Sequence, residues 1–352
     1  MAKMKAAVLT EPGNVELQEV EIPEIGEDDV LVKVAYIGLC GSDLPRTQAE
    51  NGARMYPLIV GHEFSGTVSK VGKNVTDLEV GQKCAVAPLI PDLSSIYTQE
   101  ALYGLSDPYN IIGTGSNGAL AEFVKVPKRH IVKLPDNVNL LEGAGVEPAA
   151  VAFHGIFKSG LQVADSVAIL GCGSIGQLAV QCAVAAGATD VIAVDIFDEK
   201  LEMAKNLGAT HTINSKDCDL VEEIKKITEH GVYRVVETAG SPITQEQSIQ
   251  IARKNATIAF VGISGKALEI SAESMNKMMR GEIKITGCWN SYSAPYPGRA
   301  WKAVVDFMEK GQIKFEPIVS HHITLDEVGE YLSGMYNREI PYNKVVVDIH
   351  PE

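Results

Sequence analysis

The sequence has no apolar run of about 18 residues, the length a membrane-spanning helix needs. Its opening, MAKMKAAVLT, lacks the apolar core of a secretory signal, so a cytoplasmic protein is expected. Basic residues are in deficit: 31 Lys and Arg stand against 45 Asp and Glu, a formal net charge of −14. That excludes the basic footprint that nucleic acid or an anionic membrane surface requires. An anionic ligand would need a local cluster working against the overall field. There is no tandem repeat and no low-complexity segment. The six cysteines, Cys40, Cys84, Cys172, Cys182, Cys218 and Cys288, are widely scattered and read as reduced thiols, not a disulfide framework. What remains is an ordinary globular composition, 45% apolar and 22% charged. At 352 residues the chain is long enough for two domains.

The texture of the chain changes once. From Lys5 to about Val86, short alternating or apolar runs (AAVLT, VELQEV, VLVKVAYIG, FSGTVSKV) are broken by turn residues and predict strands. Residues 88–112 have no clear period and read as a surface lobe, after which GALAEFVKVPKRHIVKLP returns to strand. Beyond Asn139, LLEGAGVEPAAVAFHG reads as helix interrupted at Glu147-Pro148. Apolar strands then alternate with helices: VAIL, VIAV, VYRVVE and TIAFVG imply a parallel sheet covered by helices. The last part reads as helices and a closing strand, KVVVDI, that rejoins the first domain.

Within the alternating region, Gly171-Cys172-Gly173-Ser174-Ile175-Gly176 follows VAIL and opens a helix. In this G-x-G-x-x-G pattern the glycines allow a tight turn, close approach of a pyrophosphate and helix–strand packing. The helix N-terminus offers unpaired N–H groups to phosphate. Asp195 ends the next strand, where a carboxylate accepts from ribose hydroxyls and repels a 2′-phosphate. NAD is therefore expected, with Gly171, Gly173, Ser174, Ile175, Gly176 and Asp195 binding it.

The stretch Gly38 to Gly66, GLCGSDLPRTQAENGARMYPLIVGHEFSG, carries Cys40, Ser42, Asp43 and the pair His62-Glu63. A thiolate and an imidazole are good zinc ligands. Alone, they could equally be a buried Cys and a satisfied core His.

Taken together, GLCGSD, GHEFSG, VGKNVTDLEVGQKCAV, VEPAAVAFHG, the glycine pattern and VVETAG occur in an order that resembles the zinc-containing medium-chain dehydrogenases, in their polyol branch. The resemblance spans nearly the whole chain. It implies a GroES-like, mostly β catalytic domain from residues 1–152 and 290–352, with a doubly wound Rossmann domain, residues 153–289, inserted between. It implies Cys40, His62 and Glu147 as ligands of one catalytic zinc, with Glu63 as a reserve ligand and Asp43 orienting His62 or its loop. Manganese or cobalt would suit the same donors. Ser42 falls where the family's proton relay begins, but Pro45 stands where a histidine often continues it, leaving the cofactor ribose, water or Glu147.

The implied activity is NAD-linked oxidation of a secondary hydroxyl of a polyol phosphate, of the galactitol 1-phosphate type, to the keto sugar phosphate. The zinc would act as a Lewis acid on the alcohol oxygen while a hydride leaves its carbon. Substrate candidates are Arg46, suited to a phosphate, and Asn290, Ser291 and Tyr292, suited to hydroxyls. Alternatives are an unphosphorylated polyol of the sorbitol or xylitol type, L-threonine, or, more remotely, a non-catalytic dinucleotide-binding protein. The resemblance also implies a homodimer or homotetramer. One departure is large: where many relatives carry four cysteines in the lobe, this chain reads Asp92, Ser95, Thr98 and Ser106. No structural zinc is expected there. The lobe is expected to be held by Leu93, Ile96, Tyr97, Leu102, Leu105 and Tyr109.

Overall fold

The structure, a computed structural model, describes residues 2–351. The chain divides into two compact units. One comprises the residues up to Glu147, Tyr292–Glu309, and the chain from Phe315 onward; the other is Pro148–Ser291 with Lys310–Lys314. These divisions lie a few residues from the expected ones, and the short excursion at Lys310–Lys314 has no signal in the sequence.

In the second unit, valine, isoleucine and alanine runs form strands buried on both faces; Ser166–Leu170 is buried at every position. Among the described residues the sheet has six parallel strands. Their order is His211–Asn214, Asp190–Asp195, Ser166–Leu170, Val232–Glu237, Ala252–Phe260 and Lys284–Gly287. Numbered along the chain this is 3-2-1-4-5-6, the order of a Rossmann sheet. The direction of winding reverses beside Ser166–Leu170, so the glycine turn that follows it lies at the switch point where such sheets take ligands.

In the first unit, Asp29–Gly38 is the central strand. It pairs antiparallel with Glu63–Val71 on one side and with the closing strand Val345–Asp348 on the other. Gly38 stands opposite both Glu63 and Val346. This register brings residues from the start, middle and end of the chain to one place. Buried Val32, Val34, Ile37, Phe64 and Val347 fill the core beneath.

Two local expectations change. The helix Val146–Lys158 runs through Glu147-Pro148 without a break. Proline in a first turn removes an N–H that has no helical partner anyway, so the interruption falls at Gly145 instead. The lobe is also held differently. Leu93, Ile96, Tyr97, Leu102 and Leu105 are 40–68% exposed and are not its core. Polar bonds tie it: Asp92 N–H donates to Ser106 Oγ at 2.8 Å, and Asp107 N–H to Ser95 Oγ at 3.1 Å. Asp92 Oδ1 accepts from both Ser94 N–H and Ser94 Oγ. Hydroxyls at the positions of the missing thiols thus serve as short-range acceptors for backbone. Thr98 is buried without such a bond.

Candidate active site

Cys40 follows the end of the central strand, and Glu63 begins its antiparallel neighbour directly after His62. Strand pairing therefore sets all three side chains side by side. Their ligand atoms lie within 4.8 Å of one another, with His62 and Glu63 buried. Glu147 is buried beside this group, where burial first, and then the charge of Glu63, raise its pKa to about 7. It is not a member of the converging set. Glu63, fixed by strand register, lies within the converging group, and Glu147, set by where its helix starts, stands beside it.

Asp43 joins two of the three. Its Oδ2 accepts the N–H of Cys40 at 3.1 Å, and its Oδ1 lies 3.4 Å from His62 Nδ1. That second contact is an ion-pair distance, not a formed hydrogen bond, because His62 Nδ1 is buried without a hydrogen-bond partner. Burial pushes Asp43 up, but the His62 and Arg46 charges and the Cys40 N–H outweigh it and hold the carboxyl at about 2. His62 shows the mirror effect: burial lowers it, while Asp43 and Cys40 together raise it well above its usual value. Ser42 Oγ donates to Cys40 Sγ at 3.3 Å. A soft thiol, an imidazole with an orphaned ring nitrogen and one carboxylate are a donor set that fits zinc.

The second unit carries the cofactor turn. Gly171 has φ +91°, a conformation that favours glycine, and a Cβ on Gly176 would lie 1.8 Å from the Gly171 carbonyl oxygen. A Cβ on Gly173 would meet nothing within 4 Å, which leaves that side of the turn open for a ligand. The helix Ser174–Ala185 has no side-chain cap. Thr238 Oγ1 donates to the Gly171 carbonyl at 2.7 Å, and Asp195 accepts from the N–H groups of Cys172, Ile196 and Phe197. Backbone hydrogen bonds hold the Asp195 carboxylate at the mouth of the turn.

Comparison with known proteins identifies the family. The alcohol dehydrogenase GroES-like domain family matches residues 26–136, and the zinc-binding dehydrogenase family matches residues 174–310. The chain is 35% identical to galactitol 1-phosphate 5-dehydrogenase of Escherichia coli over 340 residues, 96% of this chain and 98% of that enzyme. The crystal structure of galactitol-1-phosphate dehydrogenase from Escherichia coli superposes with a TM-score of 0.92, covering 98% of this chain and 100% of that one. The chain belongs to the zinc-binding alcohol dehydrogenase family. Sorbitol dehydrogenase of Bacillus subtilis is 32% identical, covering 92% of this chain and 91% of that enzyme. A zinc-binding dehydrogenase structure from Sinorhizobium meliloti, bound to NADP, has a TM-score of 0.91 at 32% identity and covers 99% of this chain and 100% of that one.

In this zinc-binding dehydrogenase two of the expected substrate residues have other partners. Arg46 directs one terminal nitrogen to Asp43 Oδ1 at 2.6 Å, with its side chain 15% exposed. That bond makes it a support of the Asp43 carboxylate through one of its nitrogens. Tyr292 is buried, accepts the Leu89 N–H at 3.1 Å and stacks on Tyr296 at 5.7 Å. It is part of the core of its unit. Ser291 is buried with an unbonded hydroxyl, and Asn290 sits in a left-handed turn at φ +56°. Sequence reading missed Lys344, which is buried and pairs with Glu63. Nothing local marks it, since a lysine at the head of KVVVDI reads as a solvent-facing strand end.

Proposed function

We propose that this dehydrogenase oxidises a secondary hydroxyl of a polyol phosphate with NAD as acceptor. The convergence of Cys40, His62 and Glu63 carries the reading, because it provides three zinc donors and leaves a fourth position for the substrate. A bound zinc ion supplies Lewis acidity that lowers the pKa of an alcohol oxygen. The remaining work falls to the chain. Ser42, bonded to Cys40 Sγ, begins the proton path, and Glu147, buried beside the group, accepts the proton. With Pro45 in place of a histidine, the path continues through the cofactor ribose, water or Glu147, and the burial of Glu147 beside the group favours it. Asp195 favours NAD over NADP by repelling a 2′-phosphate.

One observation favours a second reading, a free polyol as substrate: the nitrogen of Arg46 that faces Asp43 is already committed. Zinc content, measured alongside reduction of NAD and NADP with galactitol 1-phosphate, galactitol, sorbitol and xylitol, tests both. Zinc with a phosphate-dependent rate supports the first reading. Zinc with faster turnover of free polyols selects the second, and a zinc-free active enzyme removes both.

A further inference from the structure

Lys344 is a buried ammonium, 3% exposed, inside a site that also holds a thiol and three carboxyls. Its Nζ pairs with Glu63 Oε2 and donates to the Leu39 carbonyl at 3.0 Å. Gly38 is shaped to this pair: a Cβ there would lie 2.5 Å from Glu63 Oε2 and 2.7 Å from Lys344 Cε. A buried cation is costly to desolvate, and burial alone would push its pKa down. The charges of Glu63, Cys40 and Glu147 outweigh this and raise it, so the group stays charged.

We propose that Lys344 is a positioning residue that restrains Glu63 to a single free oxygen and so keeps the metal site open for substrate. The inference rests on the metal site proposed above. The thiol of Cys40 and the carboxyls of Asp43, Glu63 and Glu147 face two side-chain cations, Arg46 and Lys344. Loss of Lys344 would add net negative charge around the ion and free both oxygens of Glu63 to hold it. The ion would then be bound more tightly and the substrate position closed. A merely structural lysine gives the opposite sign, because its loss loosens the fold and the ion together.

The test compares wild type, Lys344→Met and Lys344→Arg as zinc-loaded full chains. It follows the rate at which a chelator withdraws zinc, together with kcat. Lys344→Met should release zinc about tenfold more slowly and turn over more slowly, with Lys344→Arg close to wild type in zinc release. Release that is faster or unchanged in Lys344→Met overturns the proposal. Should that variant fail to fold, Lys344→Gln, which still donates to Leu39 but lacks the charge, is judged by the same outcomes. A wild type that binds no zinc overturns the metal site itself, whereas a zinc-bound wild type with the wrong response in the variant overturns only the role of Lys344.

Discussion

The proposed cofactor turn and the proposed metal group are built to hold charged species by opposite means. The turn uses backbone: N–H groups of one short segment, shaped by glycine and held by Asp195 and Thr238. The metal group uses side chains from positions 40, 43, 46, 62, 63, 147 and 344, nearly all removed from water. Backbone amides need only a conformation, so a few glycines suffice. Buried side-chain charges need partners, and each partner needs another, which is why Asp43 calls for Arg46 and Glu63 calls for Lys344. The turn should therefore respond to changes of shape and the metal group to changes of charge.

The largest effect falls on the metal group. Cys40→Ser replaces a soft thiolate with a hard hydroxyl at the same position. Changes around a metal ligand commonly cost 10–100-fold, so loss of a ligand itself should lower kcat/KM by more than about 100-fold. Zinc content should fall with it, and full activity without zinc would remove the metal chemistry.

Two glycines test the turn. Gly176→Ala forces a Cβ against the Gly171 carbonyl oxygen and should cost both stability and dinucleotide binding. Gly173→Ala meets no protein atom, so Tm should stay unchanged while KM for the dinucleotide rises about tenfold, close to 1.4 kcal/mol. An unchanged KM in a well-folded Gly173→Ala would mean that the pyrophosphate does not pass there.

The same contrast explains what could be read from sequence. The glycine turn, its strand and Asp195 lie within 30 residues, Ser166 to Asp195, and each has a local signature; the structure keeps the strand, turn and helix as expected. Cys40 and His62 stand out in the sequence because they sit in short distinctive motifs. The convergence of Glu63 with them does not, since it depends on strand register. Lys344 was invisible because its meaning comes from a pairing with Glu63 across the sheet. The lobe misled for a related reason: apolar residues there suggested a local core, but they are exposed, and serine and aspartate bonds to backbone tie the segment.

Arg46 gives a moderate effect that sharpens the contrast. If it serves only Asp43, Arg46→Gln should lower kcat/KM about equally for a polyol and its phosphate, by about tenfold. If its free nitrogens also hold phosphate, KM should rise selectively for the phosphorylated substrate. The ratio of the two KM changes decides between support and recognition.

The smallest effect comes from Glu147 in the zinc-free protein. Its folded pKa of about 7 lies above the ordinary 4.5, so between these values the folded chain binds more protons than the unfolded one. Stability from this group is therefore present below pH 4.5 and is lost as pH rises through 7. Glu147→Gln mimics the neutral acid at every pH and should cancel that loss. Taken as a difference from wild type, the measurement also removes the contribution of other groups, such as His130 and His154, whose pKa values fall to about 4 on burial. Tm of Glu147→Gln should match that of wild type near pH 4.5 and exceed it by on the order of 5 °C at pH 8. A difference that stays flat with pH would mean that the Glu147 pKa is the same in the folded and unfolded chain, leaving it no role as a proton acceptor near neutrality.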